Sequence, residues 1–495
     1  MTGAPMQVAL RWQFVRAKKW RILAISMAMI LPCLWHRHIE AGDLASHLYN
    51  AWLAQLIEKG QAPGLYFASQ WNNVLVDWML LHAANVFGFV AAEKIVVSLC
   101  VLIFFWGIFA FVEAASGQPP WFLAPCIAML SYGYSFNMGF LNYYLSLGLA
   151  SFSLALLWRG RGFERLFGLC IAPFILLAHP LGLFWLLGAA LYLILWTKLP
   201  SWWRLSVPVA SVGAMFVVHW YLAHQTRFPV DWVHPPFYLM NGADQLTLYG
   251  PRYATLGWAA VIFGALCVLV DVISRRRERT FWQSLRLPLE LYFVAILAVA
   301  LSPENLRPSI SGGWIGLLAS RLTTITAIFG IGLMGCLKPR KWHLVGFGSC
   351  AIIFFAFLYQ DTSTLNRMES EAESLVGPLP FGTRVMSTIW APLESRVSFI
   401  GHFVDRACIG HCFSYANYEP SSGQFRIRVR PGSPVVTASD DDSEDMQAGE
   451  YEVQDADLPA MEIYQCDEKD LTKLCIRSLA AGEKNGRLGY EPNPD

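Results

Sequence analysis

Residues 36–88 read HRHIEAGDLASHLYNAWLAQLIEKGQAPGLYFASQWNNVLVDWMLLHAANVFG. The stretch is too polar to span a bilayer, yet apolar runs long enough to do so flank it on both sides. It places Glu40, Asp43 and His47 three and four residues apart, so in a helical segment they share one face. A carboxylate-bearing face at the end of a membrane helix suggests chemistry at a membrane surface. Asp43 also suits a structural role, because after Gly42 it is a good N-cap for a helix starting at Leu44.

The rest of the chain explains why this stretch is unusual. Of its 495 residues 55% are hydrophobic, 14% aromatic and only 15% charged, where a soluble protein carries about a quarter charged. The composition is that of an integral membrane protein. A formal net charge of +1 conceals an asymmetry: residues 365–495 hold 12 Lys and Arg against 22 Asp and Glu, leaving 25 basic and 14 acidic residues elsewhere. A membrane part with basic cytoplasmic loops followed by an acidic soluble part gives this distribution. Near the N-terminus, Arg11, Arg16, Lys18, Lys19 and Arg21 precede an apolar run from Ile22 to Trp35. No small-residue cleavage site follows, so the run reads as an uncleaved first span.

Apolar runs recur about eleven times, near 20–36, 93–115, 121–138, 141–158, 166–179, 181–197, 203–223, 253–273, 287–302, 317–337 and 342–360. Residues 74–90 are also apolar, but Asp77 and His82 interrupt them, and they read as a helix lying on the membrane surface. The basic clusters (Arg159, Arg161 and Arg165; Lys198 and Arg204; Arg275–Arg277 and Arg279; Lys338, Arg340 and Lys341) all fall on the side of the basic N-terminus. The positive-inside rule makes that side cytoplasmic. The 36–92, 224–252 and 303–316 loops and the C-terminal tail then face outward from a multi-pass protein of the plasma (inner) membrane.

From about Thr362 the composition becomes that of a soluble domain, so the expected organisation is 1–361 membrane domain and 362–495 extracytoplasmic domain. Residues 383–391 and 423–437 resemble short strands between Gly and Pro turns. Residues 439–457 (SDDDSEDMQAGEYEVQDAD) are acidic and poor in large apolar side chains, and read as a solvated loop. The expected fold class is therefore an all-α polytopic membrane protein with a small α+β domain. Cys33, Cys100, Cys126, Cys170, Cys267, Cys336 and Cys350 lie in spans and read as inert core. Cys408, Cys412, Cys466 and Cys475 lie in the outward domain, where two disulfides are expected, with Cys408–Cys412 and Cys466–Cys475 the preferred local pairing. A metal held by Cys408, His411 and Cys412 is the weaker alternative.

Three further features are candidates for chemistry. Arg321 lies within the tenth span, where an Arg is costly unless paired or facing water; its planar fork suits a phosphate, and a snorkelling or structurally paired Arg is the alternative. His179-Pro180 sits at an outer turn, where His is commonly a satisfied turn residue. Tyr134, Asn137, Asn142 and Tyr143 cluster at another outer turn and could bind hydroxyls, or could be an ordinary interfacial belt. No phosphate-binding Gly-rich loop, HExxH or GxSxG is present, and the cytoplasmic loops are too short for a nucleotide-binding domain.

A basic N-terminus, one span, then an outward loop opening with Gly-Asp-x-x-x-His (42–47) resembles the GT-C superfamily of membrane glycosyltransferases, as found in bacteria. The resemblance continues in NMGFLNYYLSLGL (137–149), LAHPLGL (177–183) and ASRL (319–322), and in an outward C-terminal domain. It implies a sugar donor on polyprenyl phosphate and an extracytoplasmic glycan, lipid or protein acceptor, with membrane lipid as surroundings and no nucleic-acid partner. It also implies Asp43 as general base, Arg321 on the lipid phosphate, and Glu40, His47 and His179 in support. Glu40, Asp43 and His47 could instead hold a divalent metal. Many relatives carry two adjacent acids here, whereas this chain has Gly42 before Asp43 and Leu44 after it, so metal use and catalytic competence are both open. The competing readings are a secondary transporter or flippase of lipid-linked saccharides, and a non-catalytic scaffold with the same fold. The first of these predicts paired broken helices and repeat symmetry, which the sequence lacks.

Overall fold

The structure is a computed structural model; it describes residues 13–233, 240–307, 315–389, 395–397, 402–467 and 469–486. Arg11, residues 390–391 of the first expected strand and parts of the 224–252 and 303–316 loops lie outside the described residues. The chain divides into two compact units. One comprises Met1–Cys33, Val97–Phe136 and Leu141–Phe357; the other comprises Leu34–Val96, Asn137–Phe140 and Leu358–Asp495.

The first unit is helical apart from a short antiparallel pairing of Val230–Asp231 with Asn305–Leu306. Among the described residues, seven helices are long and apolar enough to cross a membrane: Phe89–Ser116, Leu141–Arg159, Pro180–Lys198, Ser206–His224, Gly250–Arg275, Arg279–Leu301 and Lys341–Val376. Ser206–His224 shows what the composition is for. Val207 is its one buried residue, while Phe216, Val217 and Trp220 are exposed; a helix apolar all round needs an apolar surrounding. The other expected segments are helical in shorter or different pieces. Residues 20–36 belong mostly to Gln13–Leu34, and 317–337 to Leu318–Met334. Residues 121–138 break into Trp121–Leu123, Ala124–Ser131 and Tyr134–Asn137, and 166–179 into Phe163–Cys170 and Ala172–Ala178. Pro125 and Pro173 open two of these pieces, in first-turn positions where the missing N–H costs nothing.

Packing in this unit relies on small residues. A Cβ on Gly107 would stand 2.2 Å from the Gly148 carbonyl oxygen, and one on Gly148 2.7 Å from Phe104 Cα. The helices Phe89–Ser116 and Leu141–Arg159 therefore meet backbone to backbone, as small residues allow in apolar surroundings. Phe104 stacks on Tyr144 beside that crossing, with centroids 4.0 Å apart. Cys33, Cys100, Cys126, Cys267 and Cys336 are buried, but Cys170 is exposed, so the inert-core reading fails there: Phe163–Cys170 buries only Gly168.

The second unit brings the polar 36–88 stretch together with the C-terminal segment. Its helices include Leu44–Glu58 and Leu75–Phe87; the latter, at 13 residues, is shorter than the roughly twenty a span requires. A four-stranded sheet runs in the order Cys412–Ser414, Thr383–Thr388, Ala460–Gln465, Leu474–Ser478, with the first two pairings parallel and the last antiparallel. Leu65–Phe67 pairs antiparallel with Ile427–Val429, a three-residue strand inside the expected 423–437. Disulfides join Cys408 to Cys412 and Cys466 to Cys475.

Two local expectations need correction. Residues 35–43 are not helical, so Glu40 does not share a helix face with His47; Gly42 and the backbone pairing described below delay the helix to Leu44. The acidic 439–457 run is not wholly a loop. Asp440–Ala448 is a helix whose N-cap, Ser439, accepts a hydrogen bond from Asp442 N at 3.0 Å. Asp440, Asp441 and Asp442 fill its first turn, where negative charge faces the positive end of the helix dipole, and Met446 anchors it in the core.

Candidate functional site

Asp43 occupies the N-cap position of Leu44–Glu58 but does not act as a cap. Its backbone is helical (φ −64°, ψ −9°), and its side chain makes no capping hydrogen bond. What fixes it is the backbone. Gly42 N donates to Asn137 O at 2.7 Å and Asp43 N to Met138 O at 3.1 Å, while the Asp43 carbonyl accepts the first helical bond from His47 N. Gly139 permits this approach: its φ is +78°, and a Cβ there would stand 2.3 Å from Asp43 N. The Asp43 carboxylate is thus held in place yet 23% exposed.

Behind it lies a polar cluster that the sequence did not announce. His402 Nε2 is 3.7 Å from Asp43 Oδ1, and His402 Nδ1 is 3.0 Å from Asp405 Oδ2. Asp405 also accepts from the Ser414 hydroxyl and from Asn417 Nδ2, the latter at 3.0 Å. Tyr418 covers the imidazole, with centroids 5.1 Å apart. Burial works against a charged imidazole, but Asp405, Asp43 and Glu419 outweigh it and raise the His402 pKa. The same negative surroundings, added to burial, keep the Tyr418 phenol well above its usual range.

His47 has different partners from those expected. Its Nδ1 lies 2.8 Å from Asp77 Oδ1 and 3.2 Å from Glu419 Oε1. Burial opposes the cation here too, yet the two carboxylates raise the His47 pKa well above 6.5. Glu419 is itself pushed up by burial, an effect that His47 and the Ser46 hydroxyl (3.0 Å) partly offset. The space beside this pair, lined by Asn50, Asp77, Glu419 and Phe425, is about 20 Å³. That is room for a single water and no more.

Glu40 belongs to a third arrangement. Asn366 Nδ2 donates to its Oε1 at 2.9 Å, and it is grouped with Glu93, Glu369 and Arg406. Arg406 Nη1 is 3.1 Å from Glu369 and 3.5 Å from Glu93, and Nη2 donates to Ile39 O at 3.0 Å. Burial pushes the Glu40 carboxyl up to about 7, against the pull of Arg406. A cavity of about 460 Å³ lies beside this cluster, lined by Arg37, His38, Glu93, Glu373, Arg406 and His411 among others.

These partners decide the metal question for the residues present. Glu40 is engaged with Asn366 and the Arg406 cluster, and His47 with Asp77 and Glu419. The described residues contain no group of three or more His, Cys, Asp or Glu arranged for a metal ion. The donor set does not fit a cation.

In the helical unit three of the expected residues come together. The Tyr143 hydroxyl donates to Arg321 O at 2.6 Å, the Arg321 guanidinium lies 6.0 Å from the Tyr143 ring centroid, and the rings of Tyr143 and His179 are 5.4 Å apart. His179 is a capping residue: its Nδ1 accepts from Leu181 N at 3.1 Å and starts Pro180–Lys198. That tautomer leaves the hydrogen on Nε2. The first two turns of Leu318–Met334, which carry Arg321, are tied down by Ser320 to Glu304 (2.7 Å) and Thr323 to Asp244 (2.7 Å). Further along the same helix, Ala327, Gly330, Ile331 and Met334 line an apolar groove of about 490 Å³ shared with Gly257, Val261, Gly264 and Val268. No family model, characterised protein or solved structure matches this chain.

Proposed function

We propose that the chain is a GT-C-type membrane glycosyltransferase that moves a sugar from a polyprenyl-phosphate donor to an acceptor outside the cytoplasm. Asp43 is the general base and Arg321 binds the lipid phosphate. In this reading the shorter helical pieces complete about eleven spans in the plasma membrane, with the N-terminus cytoplasmic and the C-terminal segment outside.

The observation that carries the proposal is the state of Asp43. A carboxylate placed at an N-cap but not used as one, fixed through its main chain and still part-exposed, is free to accept a proton. Two features of the helical unit support a lipid-phosphate donor. Arg321 offers a planar fork of donors, and the groove beside its helix is lined by small and apolar residues suited to a hydrocarbon chain. As the acceptor hydroxyl attacks the anomeric carbon, its hydrogen passes to Asp43. The anomeric carbon's bond to phosphate oxygen breaks, and that oxygen keeps the electron pair. Arg321 meets the charge that develops there. Because the residues do not fit a metal, no step is assigned to one.

The test is Asp43→Asn in full-length protein reconstituted in liposomes, with polyprenyl-phosphate hexoses and pentoses offered in parallel. Asn keeps the volume but cannot take the proton, so transfer falls about 100-fold or more. Transfer at the wild-type rate ends the proposal.

A further inference from the structure

The most ordered polar feature near Asp43 comes from the other end of the chain. Asp405 is held at both carboxylate oxygens, by Ser414 on Oδ1 and by Asn417 on Oδ2. Asn417 is fixed in turn by Ser46 at 2.9 Å and Asn50 at 3.3 Å, both on Leu44–Glu58. An ionised carboxylate only accepts, so the hydrogen in the 3.0 Å contact between His402 and Asp405 sits on Nδ1. That leaves Nε2, on the opposite edge of the ring, facing Asp43 Oδ1 at 3.7 Å.

We propose that His402 is the positioning residue of Asp43, its Nε2 edge holding one carboxylate oxygen by charge across 3.7 Å so that the other is aimed at the acceptor hydroxyl. The proposal rests on the reading of Asp43 as general base. In the transfer step Asp43 Oδ2 gains the hydroxyl hydrogen, the acceptor oxygen bonds to the anomeric carbon, and the phosphate leaves with its electron pair. His402 keeps its protons throughout. The division of labour is that of a buried acid orienting an imidazole, with the imidazole here orienting a second acid in place of a nucleophile.

The charged and titratable groups facing His402 are Asp405 on Phe403–Ala407, the short helix that His402 precedes, Asp43 ahead of Leu44–Glu58, and Tyr418 and Glu419 on Tyr418–Ser422. Three are carboxylates, and together they favour the cation over burial. When pH rises far enough to remove the Nε2 hydrogen, a lone pair faces Asp43 and the support is lost. The alkaline limb of the transfer rate therefore belongs to His402.

Two measurements test this on the full-length protein in lipid nanodiscs. The first follows the imidazole nitrogens by NMR with ¹⁵N-histidine, the His402 signals being assigned by their loss in His402→Gln. In Asp43→Asn the His402 pKa falls, as expected on removing a nearby carboxylate; an unchanged titration overturns the contact. The second compares transfer with the polyprenyl-phosphate sugars. His402→Gln lowers kcat about 10- to 100-fold with little change in KM for the donor, and the alkaline limb disappears. If Asp43→Asn is inactive while His402→Gln keeps wild-type kcat and the same alkaline limb, the base stands and the positioning role falls. If Asp43→Asn transfers normally, the base reading falls and this proposal goes with it.

Discussion

Replacing Arg406 by Met removes a buried cation set among three buried carboxyls and tests what holds the second unit together. Arg406 is 6% exposed and lies 3.1 Å from Glu369 and 3.5 Å from Glu93, with Glu40 in the same group. Met fills much of the volume, so the loss is electrostatic rather than a cavity. Removing one partner of a buried ion pair costs about 3–5 kcal/mol. The adjoining cavity of about 460 Å³ gives water a route to the stranded carboxyls, which favours the lower end. The second unit has about 200 residues, so each kcal/mol moves its melting point roughly 2–4 °C, giving a fall of roughly 6–12 °C. The loss also depends on pH in a defined sense. Glu40 titrates near 7 in the folded chain, above its unfolded 4.5. A carboxyl raised on folding stabilises the folded state below the unfolded value, and that contribution is lost as pH rises through the folded value. Without Arg406 the Glu40 and Glu369 carboxyls are pushed further up, so the variant loses more at pH 8 than at pH 5, where protonation relieves them. Thermal unfolding in detergent at both pH values measures this, and adding Glu369→Gln to Arg406→Met recovers part of the loss. A melting point unchanged at pH 8, or a loss equal at both pH values, refutes the reasoning.

Two smaller perturbations probe the surroundings of Asp43 and the acidic helix. Gly139→Ala combines a left-handed backbone with a Cβ 2.3 Å from Asp43 N, and costs roughly 2–4 kcal/mol. Gly60→Ala has a similar φ of +69° but nothing within 4 Å and costs only about 1 kcal/mol; equal melting points for the two would remove the close approach from the account. Ser439→Ala loses the cap of Asp440–Ala448 and about 1 kcal/mol, while Ser439→Asn keeps it. Proteolysis within 440–448 should accelerate in the first variant alone.

Much of the helical architecture was legible because lipid imposes a coarse rule. A span must be long and apolar, and seven helices among the described residues meet that rule in length and composition. The rule is silent on breaks inside an apolar segment. Residues 121–138 and 166–179 look continuous in hydropathy, but Pro125 and Pro173 restart the helix within them. The second unit was harder, since its strands are three to six residues long. Cys412–Ser414 and Leu474–Ser478 are too short for alternation to show. The acidic helix was missed for a different reason. Composition weighs Asp as a breaker, whereas position decides its effect: three Asp in a first turn behind a Ser cap stabilise what they would weaken in the middle.

At the candidate site, spacing along the chain identified Asp43 and proximity in space supplied everything around it. His47 was expected beside Asp43 because they are four residues apart, yet it turns to Asp77 and Glu419, and Glu40 turns to Asn366. The group that does face Asp43 is His402, more than 350 residues later, and its anchor Asp405 stands three residues on, in the short helix Phe403–Ala407 that His402 precedes. A His-x-x-Asp pair is visible in the sequence, but a pair becomes informative only when a third group is known to face it. Electrostatics explains why so distant a segment was needed. Leu44–Glu58 carries no Lys or Arg, and its one His, His47, is engaged by Asp77 and Glu419, so no basic side chain on it is left to orient a carboxylate at its start. A cation for Asp43 had to come from elsewhere, and it could stay charged while buried only if carboxylates surrounded it. Asp405 and Glu419 meet that condition for His402, as Asp77 and Glu419 do for His47. Asp405, Asp77 and Glu419 together thus raise the two imidazoles beside one part-exposed carboxylate.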